Sequence, residues 1–410
     1  MLPTGGGMEI FMSTKAASPN YNRTIYSSFL AYIVQAAVNN FAPLLFLTFQ
    51  STYGIPLSGI TMLVTFNFLI QLCIDFISSF IVDRIGVRIC IVGAHIASGV
   101  GMICLGILPD LLPNAYAGLI ISVMIYALGG GLVEVLISPI VESCPTDNKE
   151  KAMSLLHSFY CWGHAGVIVT ATLFFKIAGI ENWRYLAFAF GIFAFANAVS
   201  FASAPLAPFV EEGETGLSRG QLFKNKIFWV IIIMIACAGA SEQAVSQWAS
   251  TFAERALNLS KTAGDLAGPL MFALLMGSSR LFYGKMGDRI DLDKFMKLSG
   301  IALVISYLLI VFSPFAVLSL IGCALTGLSV GIMWPGTFSK ATASIKNGGT
   351  ILFSFMALAG DFGCTAGPTL AGFVSDAFGE NLKAGIGASI IFPAVLLIVI
   401  IKLGSRKKTA

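Results

Sequence analysis

Five charged side chains fall inside long apolar runs of this 410-residue chain: Asp75, Glu134, Glu242, Arg280 and Asp361. His95, His157 and His164 fall in similar runs. At mid-membrane such a charge costs roughly 2.5–3.5 kcal/mol on insertion scales, so each needs a partner, a water-filled hollow or a task. The tasks are few: exchanging a proton, hydrogen-bonding a hydrophilic molecule, or pairing between helices. Amide side chains accompany the charges. Gln35, Asn39 and Asn40 precede Pro43, and Asn67, Gln71 and Asp75 are spaced four apart on one helical face. Ser241-Glu242-Gln243-Ala244-Val245-Ser246-Gln247-Trp248 places donors, acceptors and an indole on adjoining turns. This is the chemistry that holds a sugar, whose hydroxyls bond amides and carboxylates while its apolar face stacks on an aromatic ring. Trp334 offers a second ring, and Asp361, among Gly360 and Gly363, a further carboxylate.

Glu134 closes the run Gly129-Gly130-Gly131-Leu132-Val133-Glu134, five residues before Pro139. Glycines permit close helix approach or a locally opened backbone, and proline frees a carbonyl. The acid is therefore expected beside a central hollow, where taking up a proton removes its charge penalty. A structural Glu, hydrogen-bonded to a neighbouring helix, is the competing reading. His164, beside Trp162 and Gly163, is expected to join Glu134 in a proton or substrate network, whereas His157 and His95 are expected to be structural.

The elements that position these groups follow from composition. Hydrophobic residues make up 56% and charged residues 11%, against roughly 45–50% and about 25% in soluble domains, so lipid is the solvent for most of the chain. The polar first 20 residues hold no short apolar segment with a cleavage site, so the first run is expected to be a retained span. The eight cysteines are scattered singly, which suggests neither a disulfide framework nor a metal site. Apolar stretches of about 20 residues, the length needed to cross a bilayer, fall near 24–49, 58–81, 88–108, 116–140, 152–175, 184–203, 227–252, 264–283, 296–313, 315–338, 350–374 and 382–402. Twelve spans put both termini on one side. Of the 25 Lys and Arg, 19 lie on that side and 5 on the other, with Arg280 inside a span. The positive-inside rule then places the termini in the cytoplasm of an inner or plasma membrane protein.

The chain is also duplicated. The turn Asp83-Arg84-Ile85-Gly86-Val87-Arg88 has a counterpart at Gly287-Asp288-Arg289, 205 positions on (288 minus 83), and both stand between apolar runs. Gln35, Asn39, Asn40 and Phe41 map onto Glu242, Ser246, Gln247 and Trp248 with a shift of 207 (242 minus 35), and Pro139 onto Pro335 with a shift of 196 (335 minus 139). The smaller shift predicts nine residues missing from the second half, assigned to a shorter loop near Ser313-Pro314. Asp75 and Arg280 stand eight residues before their respective Asp-Arg turns, so a gating ion pair between halves competes with pairing inside each half. The expected organisation is an N-terminal six-helix bundle at 1–203, a linker at 204–226 carrying Glu211, Glu212 and Glu214, and a C-terminal six-helix bundle with a basic tail at 227–410.

With these features the chain resembles the major facilitator superfamily over its whole length, although Ser79 stands where the signature Gly-x-x-x-Asp-Arg has glycine; Gly284 keeps it. The resemblance implies an all-α membrane fold of twelve transmembrane helices in two pseudo-symmetric bundles. It also implies gating latches at Asp83, Arg84, Arg88, Asp288 and Arg289. Glu134 with Pro139, Glu242 with Trp248, and Leu156-His157-Ser158-Phe159 resemble the fucose permease branch, proton-coupled carriers of monosaccharides. That branch often has an acid four residues before a proline in the first span, where this chain has Asn39.

The expected solute site is Gln35, Asn39, Asn40, Asn67, Gln71, Glu134, Trp162, His164, Glu242, Gln243, Gln247, Trp248, Trp334 and Asp361, with Glu134 and His164 handling protons. A sugar uniporter, a proton-coupled exporter of drugs or organic ions, and a non-transporting receptor are the alternatives. The exporter's fifth helix usually bears a Gly-Pro-rich motif that Gly163-His164-Ala165-Gly166 lacks; Gly363-x-x-x-Gly367-Pro368 is a partial echo. With no phosphate-cradling loop and no nucleophile with its base, neither an enzyme nor an ATP-driven pump is expected. A monomer in the bilayer with no cofactor, no metal and no nucleic-acid partner is expected.

Overall fold

A computed structural model of the protein describes residues 21–145, 149–207, 217, 219–286, 289–345 and 349–406. All regular secondary structure among them is helical. The first span is Asn22–Asn40, continued through a 3-10 turn, Ala42–Leu45, into Phe46–Tyr53. Leu57–Ile85, Val87–Leu111, Ala115–Ser143, Lys149–Ala178 and Trp183–Ser203 follow as the second to sixth. The second half runs through Lys226–Ser246, Met271–Met286, Leu292–Phe312, Ala316–Val330 with its extension Met333–Ser344, Gly349–Ala377 and Ile391–Arg406. Eleven of these stretches are long and apolar enough to cross a membrane. The other, the eleventh span, has 29 residues, roughly 44 Å of helical rise.

Local chemistry sets the ends. Asn114, Asn225, Asp291 and Asn381 each accept hydrogen bonds from backbone N–H groups one turn ahead, capping the helices that follow. The second and third spans are joined by Gly86 alone, at φ 97°, a conformation that favours glycine. The first span breaks after Asn40, where Pro43 enters the 3-10 turn, and the seventh ends at Ser246, 206 positions on (246 minus 40). The duplicated polar segments thus occupy equivalent breaks.

The nine-residue deficit lies elsewhere than expected. Connections 112–114 and 313–315 are equally long, whereas the third span has 25 residues and the ninth 21. The remaining five are lost before Pro335, in the tenth span, which is interrupted at Gly331-Ile332. The expected linker 204–226 contains a short helix, Arg219–Lys224; residues 208–216 and 218 lie outside the described residues.

The first six spans pack on one another, as do the last six, giving two six-helix bundles. Between bundles the main contacts are second span on eleventh and fifth on eighth. Within the second bundle the seventh and eleventh spans approach at backbone distance: a Cβ on Gly363 would lie 1.9 Å from the Ala236 carbonyl oxygen. Gly363→Ala is therefore expected to destabilise by at least the roughly 1–3 kcal/mol of an overpacked core. Gly166→Ala, where an added Cβ meets nothing within 4 Å, is expected to leave the Tm in detergent unchanged. Equal melting of the two variants would contradict this packing.

Candidate functional site

The polar residues of the first, second and fourth spans meet in the middle of the first bundle. Gln35 Nε2 donates to Glu134 Oε2 at 2.5 Å. Asn39 Oδ1 accepts from Asn67 Nδ2 at 3.2 Å and Gln71 Nε2 at 2.8 Å. Asn40 Nδ2 donates to the Ala36 carbonyl at 3.0 Å and to the Tyr160 hydroxyl at 3.3 Å. The amide stripe of the second span therefore faces the first span, where the Asn67 and Gln71 amide nitrogens both donate to Asn39.

The second bundle answers from the seventh and eighth spans. Glu242 and Arg280 form an ion pair at 3.6 Å, both largely buried. Gln243 Nε2 donates to Glu242 Oε1 at 3.3 Å, and Gln247 Nε2 to Gln243 Oε1 at 3.1 Å and to the Asn39 carbonyl at 3.2 Å. That last bond joins the two bundles. Asp361, on the eleventh span, is 5% exposed, and its carboxyl lies within electrostatic reach of that of Asp75 on the second. Glu134 lies within electrostatic reach of Asp361 and Glu242. Of these four carboxyl groups, from four spans, Glu242 is the one that pairs with the Arg280 guanidinium.

Several buried polar atoms here have no hydrogen-bond partner: Gln35 Oε1, Asn67 Oδ1, both oxygens of Asp75, Arg280 Nε and Asp361 Oδ2. Such atoms are rare in folded proteins, and each calls for a missing partner such as water, a proton or a ligand.

On the side opposite the Asp-Arg turns the bundles are sealed. Arg255 pairs with Glu380, and Gln50 bonds both. Trp248 is fully buried, donates from Nε1 to the Pro368 carbonyl at 3.0 Å and packs on Phe46. A hollow of about 10 Å³ lies beside Asn39, Asn67 and Gln247, room for about one water molecule.

The expected residues fall into three groups. Gln35, Asn39, Asn40, Asn67, Gln71, Glu134, Glu242, Gln243, Gln247 and Asp361 converge on the centre. Trp248 is fully buried in the seal and offers no free ring face in this arrangement, while the half-buried Trp334 lies against Gly360 and near Phe338. Trp162 is 43% exposed and shares the outer stripe of the fifth span with Gly166, Val169 and Leu173, so it faces away from the centre.

His164 is buried beside Tyr160 and makes no bond to Glu134, so the expected network between them is not formed. His95 bonds Ile91 and Asn197 in a structural role. Asp75 and Arg280 do not pair; Arg280 stays with Glu242, and Asp75 lies within electrostatic reach of Asp361. Arg88 bonds the last carbonyls of the sixth span, Phe201 and Ala202 at 2.9 Å each, inside its own bundle. Arg84 and Arg289 are exposed. The Asp83 side chain and all of Asp288 lie outside the described residues. Sequence reasoning missed Tyr32 and Tyr160, whose hydroxyls bond Ser138 and Asn40. Their spacing, three residues before Gln35 and four before His164, was the available signal.

The sequence model of the Major Facilitator Superfamily matches residues 26–368. The chain belongs to this superfamily of membrane transporters. No curated protein matches it by sequence. Among solved structures it is similar to a bacterial homolog of the human lysosomal transporter Spinster, in an inward-facing and occupied conformation (TM-score 0.72, 13% identity, 95% of this chain and 98% of that one). It is also similar to the nucleoside transporter NupG (0.69, 13%, 94% and 99%) and to the E. coli fucose:proton symporter FucP (0.64, 14%, 93% and 98%). These likenesses establish the superfamily fold and do not single out the fucose permease branch.

In this superfamily member the Glu242–Arg280 pair has a testable cost. Removing one partner of a buried ion pair is strongly destabilising, by about 3–5 kcal/mol, because the other is stranded. Arg280→Met is expected to lower the Tm in detergent, and the double variant Glu242→Gln, Arg280→Met to recover most of the loss. Identical melting of single and double variants would show that the pair is not coupled.

Proposed function

We propose that the chain is a secondary transporter working by alternating access, carrying a monosaccharide or similar small polar solute inward together with protons. The observation that carries this reading is the set of buried, unpartnered polar atoms contributed by both bundles: Gln35 Oε1 and Asn67 Oδ1 from one, Arg280 Nε and Asp361 Oδ2 from the other. A solute with several hydroxyls gives each of them a partner. Its entry must then be governed by the relative motion of the two bundles, since they supply the site jointly. The resemblance of Glu134, Pro139, Glu242 and Trp248 to the fucose permease branch supports the sugar class.

Proton coupling is assigned to Glu134, whose sole hydrogen-bond partner among the described residues is the Gln35 amide. A proton on the carboxyl removes its charge and so biases which way the empty carrier faces. His164, apart from Glu134, is a weaker candidate for this role. The excess of basic residues on the side of the Asp-Arg turns supports a cytoplasmic location for that side and for both termini, in a plasma or inner membrane, with a monomer as the working unit. A second reading, exchange of an organic cation for protons, is favoured by the surplus of acids, Asp75, Glu134, Glu242 and Asp361 against Arg280.

Uptake of labelled sugar into proteoliposomes across an imposed pH gradient tests the first reading. Wild-type protein is expected to accumulate sugar when the exterior is acid, and Glu134→Gln to abolish accumulation while sparing sugar-for-sugar exchange. Undiminished accumulation in Glu134→Gln removes that residue from coupling. Gradient-driven movement of an organic cation, with none of sugar, favours the second reading.

A further inference from the structure

The second and eleventh spans run antiparallel across the bundle interface in a steady register. A Cβ on Gly372 would lie 2.2 Å from Thr61 Oγ1, and Thr65 and Thr369 share a hydroxyl hydrogen bond of 2.7 Å. The paired numbers add to 433 (61 and 372) and 434 (65 and 369). Continued toward the Asp-Arg side, the register brings Asp75 opposite Asp361 (sum 436), with the two carboxyl groups within electrostatic reach of one another. Two carboxylates offer only acceptors, so a hydrogen bond between them forms only when one carboxyl carries a proton. All other donors are absent: Asp75 Oδ1, Asp75 Oδ2 and Asp361 Oδ2 are buried and reached by none among the described residues.

We propose that the Asp75–Asp361 pair is a proton-binding site that ties the two bundles together at the inner end of this seam, separate from Glu134. The inference uses the transporter reading only in requiring that the bundles move. With one proton taken from water, the pair carries a single negative charge and a hydrogen bond between bundles. When that proton returns to water, two carboxylates face each other in a low-dielectric interior and repel. The arrangement sealed by Gln50, Arg255, Glu380 and Trp248 is held while the proton stays, and released as pH rises.

Among the described residues the surroundings contain no free cation to take over the proton's role. The fourth span presents Glu134, which acts on both aspartates. The seventh presents Glu242, and the eleventh adds Cys364, which senses all four acids. Arg280 of the eighth span is engaged by Glu242. His95 of the third span is held by Ile91 and Asn197. On the fifth span, His157 lies against Tyr32 and His164 against Tyr160.

The test is a distance measurement on the full chain in nanodiscs, with spin labels at Ser51→Cys and Phe378→Cys on the sealed side and with Cys73→Ser and Cys104→Ser as background. In wild type the short-distance population is expected to fall as pH rises from about 5 to about 9, its ratio to the long-distance population changing at most about tenfold per pH unit for one proton. Combined with Glu134→Gln, which removes the other titrating acid, Asp75→Asn or Asp361→Asn, whose amides donate without a proton, is expected to hold the short distance throughout, while Glu134→Gln alone still responds to pH. Should one Asn variant fail to fold, the other, on the opposite helix, carries the same test.

A wild type indifferent to pH overturns the proposal. So does a pH response that survives when either Asn variant is combined with Glu134→Gln, or a shift on replacing sodium by choline at fixed pH. A sugar-uptake failure with this pH response intact counts against the sugar reading and leaves the pair standing.

Discussion

A hydrogen-bonding group in hydrocarbon has no water to fall back on, and that constraint governs where every polar side chain of this chain sits. The five charges inside apolar helices are not spread around the bundles. Glu134, Asp75, Asp361, Glu242 and Arg280 collect where the two bundles meet, each within reach of another. The apolar exterior, represented on the fifth span by Val169 and Leu173, is left to lipid. The same constraint explains why Asn39 accepts hydrogen bonds from Asn67, Gln71 and Gln247: an amide at a helix break, beside a proline turn, needs neighbours to satisfy both itself and the opened backbone.

Holding the polar groups together requires the helices to come close, and small residues allow it. Gly363 and Gly239 bring the eleventh and seventh spans into backbone contact, which sets Asp361 and Glu242 in one layer. Between bundles, threonines and Gly372 do the same work for the second and eleventh spans. A seam of small side chains is tight yet contains few bonds, which suits an interface that opens and closes. The bulky seal is confined to the far end, where Trp248, Phe46 and the Arg255–Glu380 pair close the path.

Much of this was legible in the sequence because it rests on period and duplication. The apolar runs gave the spans, and the repeated Asp-Arg turn gave the halves. The shift of 207 between polar segments located matching breaks at Asn40 and Ser246. What the sequence could not give was orientation across the interface. Asp75 and Arg280 hold equivalent places in the repeat, but equivalence is not contact, and the antiparallel pairing of the second and eleventh spans brings Asp361 to Asp75 instead.

The aromatic residues were misjudged for a related reason. An indole suits a sugar site or a packed seal equally, and only its neighbours decide. Trp162 was readable in principle, since Gly166, Val169 and Leu173 follow it at helical spacing on a face without polar groups. Four missing residues in the ninth span were invisible because a helix shortened by one turn keeps its apolar pattern.

The central claim is that one buried polar site, built by both bundles, is reached from each side of the membrane in turn. Its most direct test is reaction of single cysteines at Gln35→Cys and Gln243→Cys with a membrane-impermeant thiol reagent, applied to either face of sealed vesicles. Alternating access predicts that each position reacts from one face or the other, with solute and pH shifting the balance between faces in opposite directions. Reaction from both faces at once, or from neither under any condition, would contradict it.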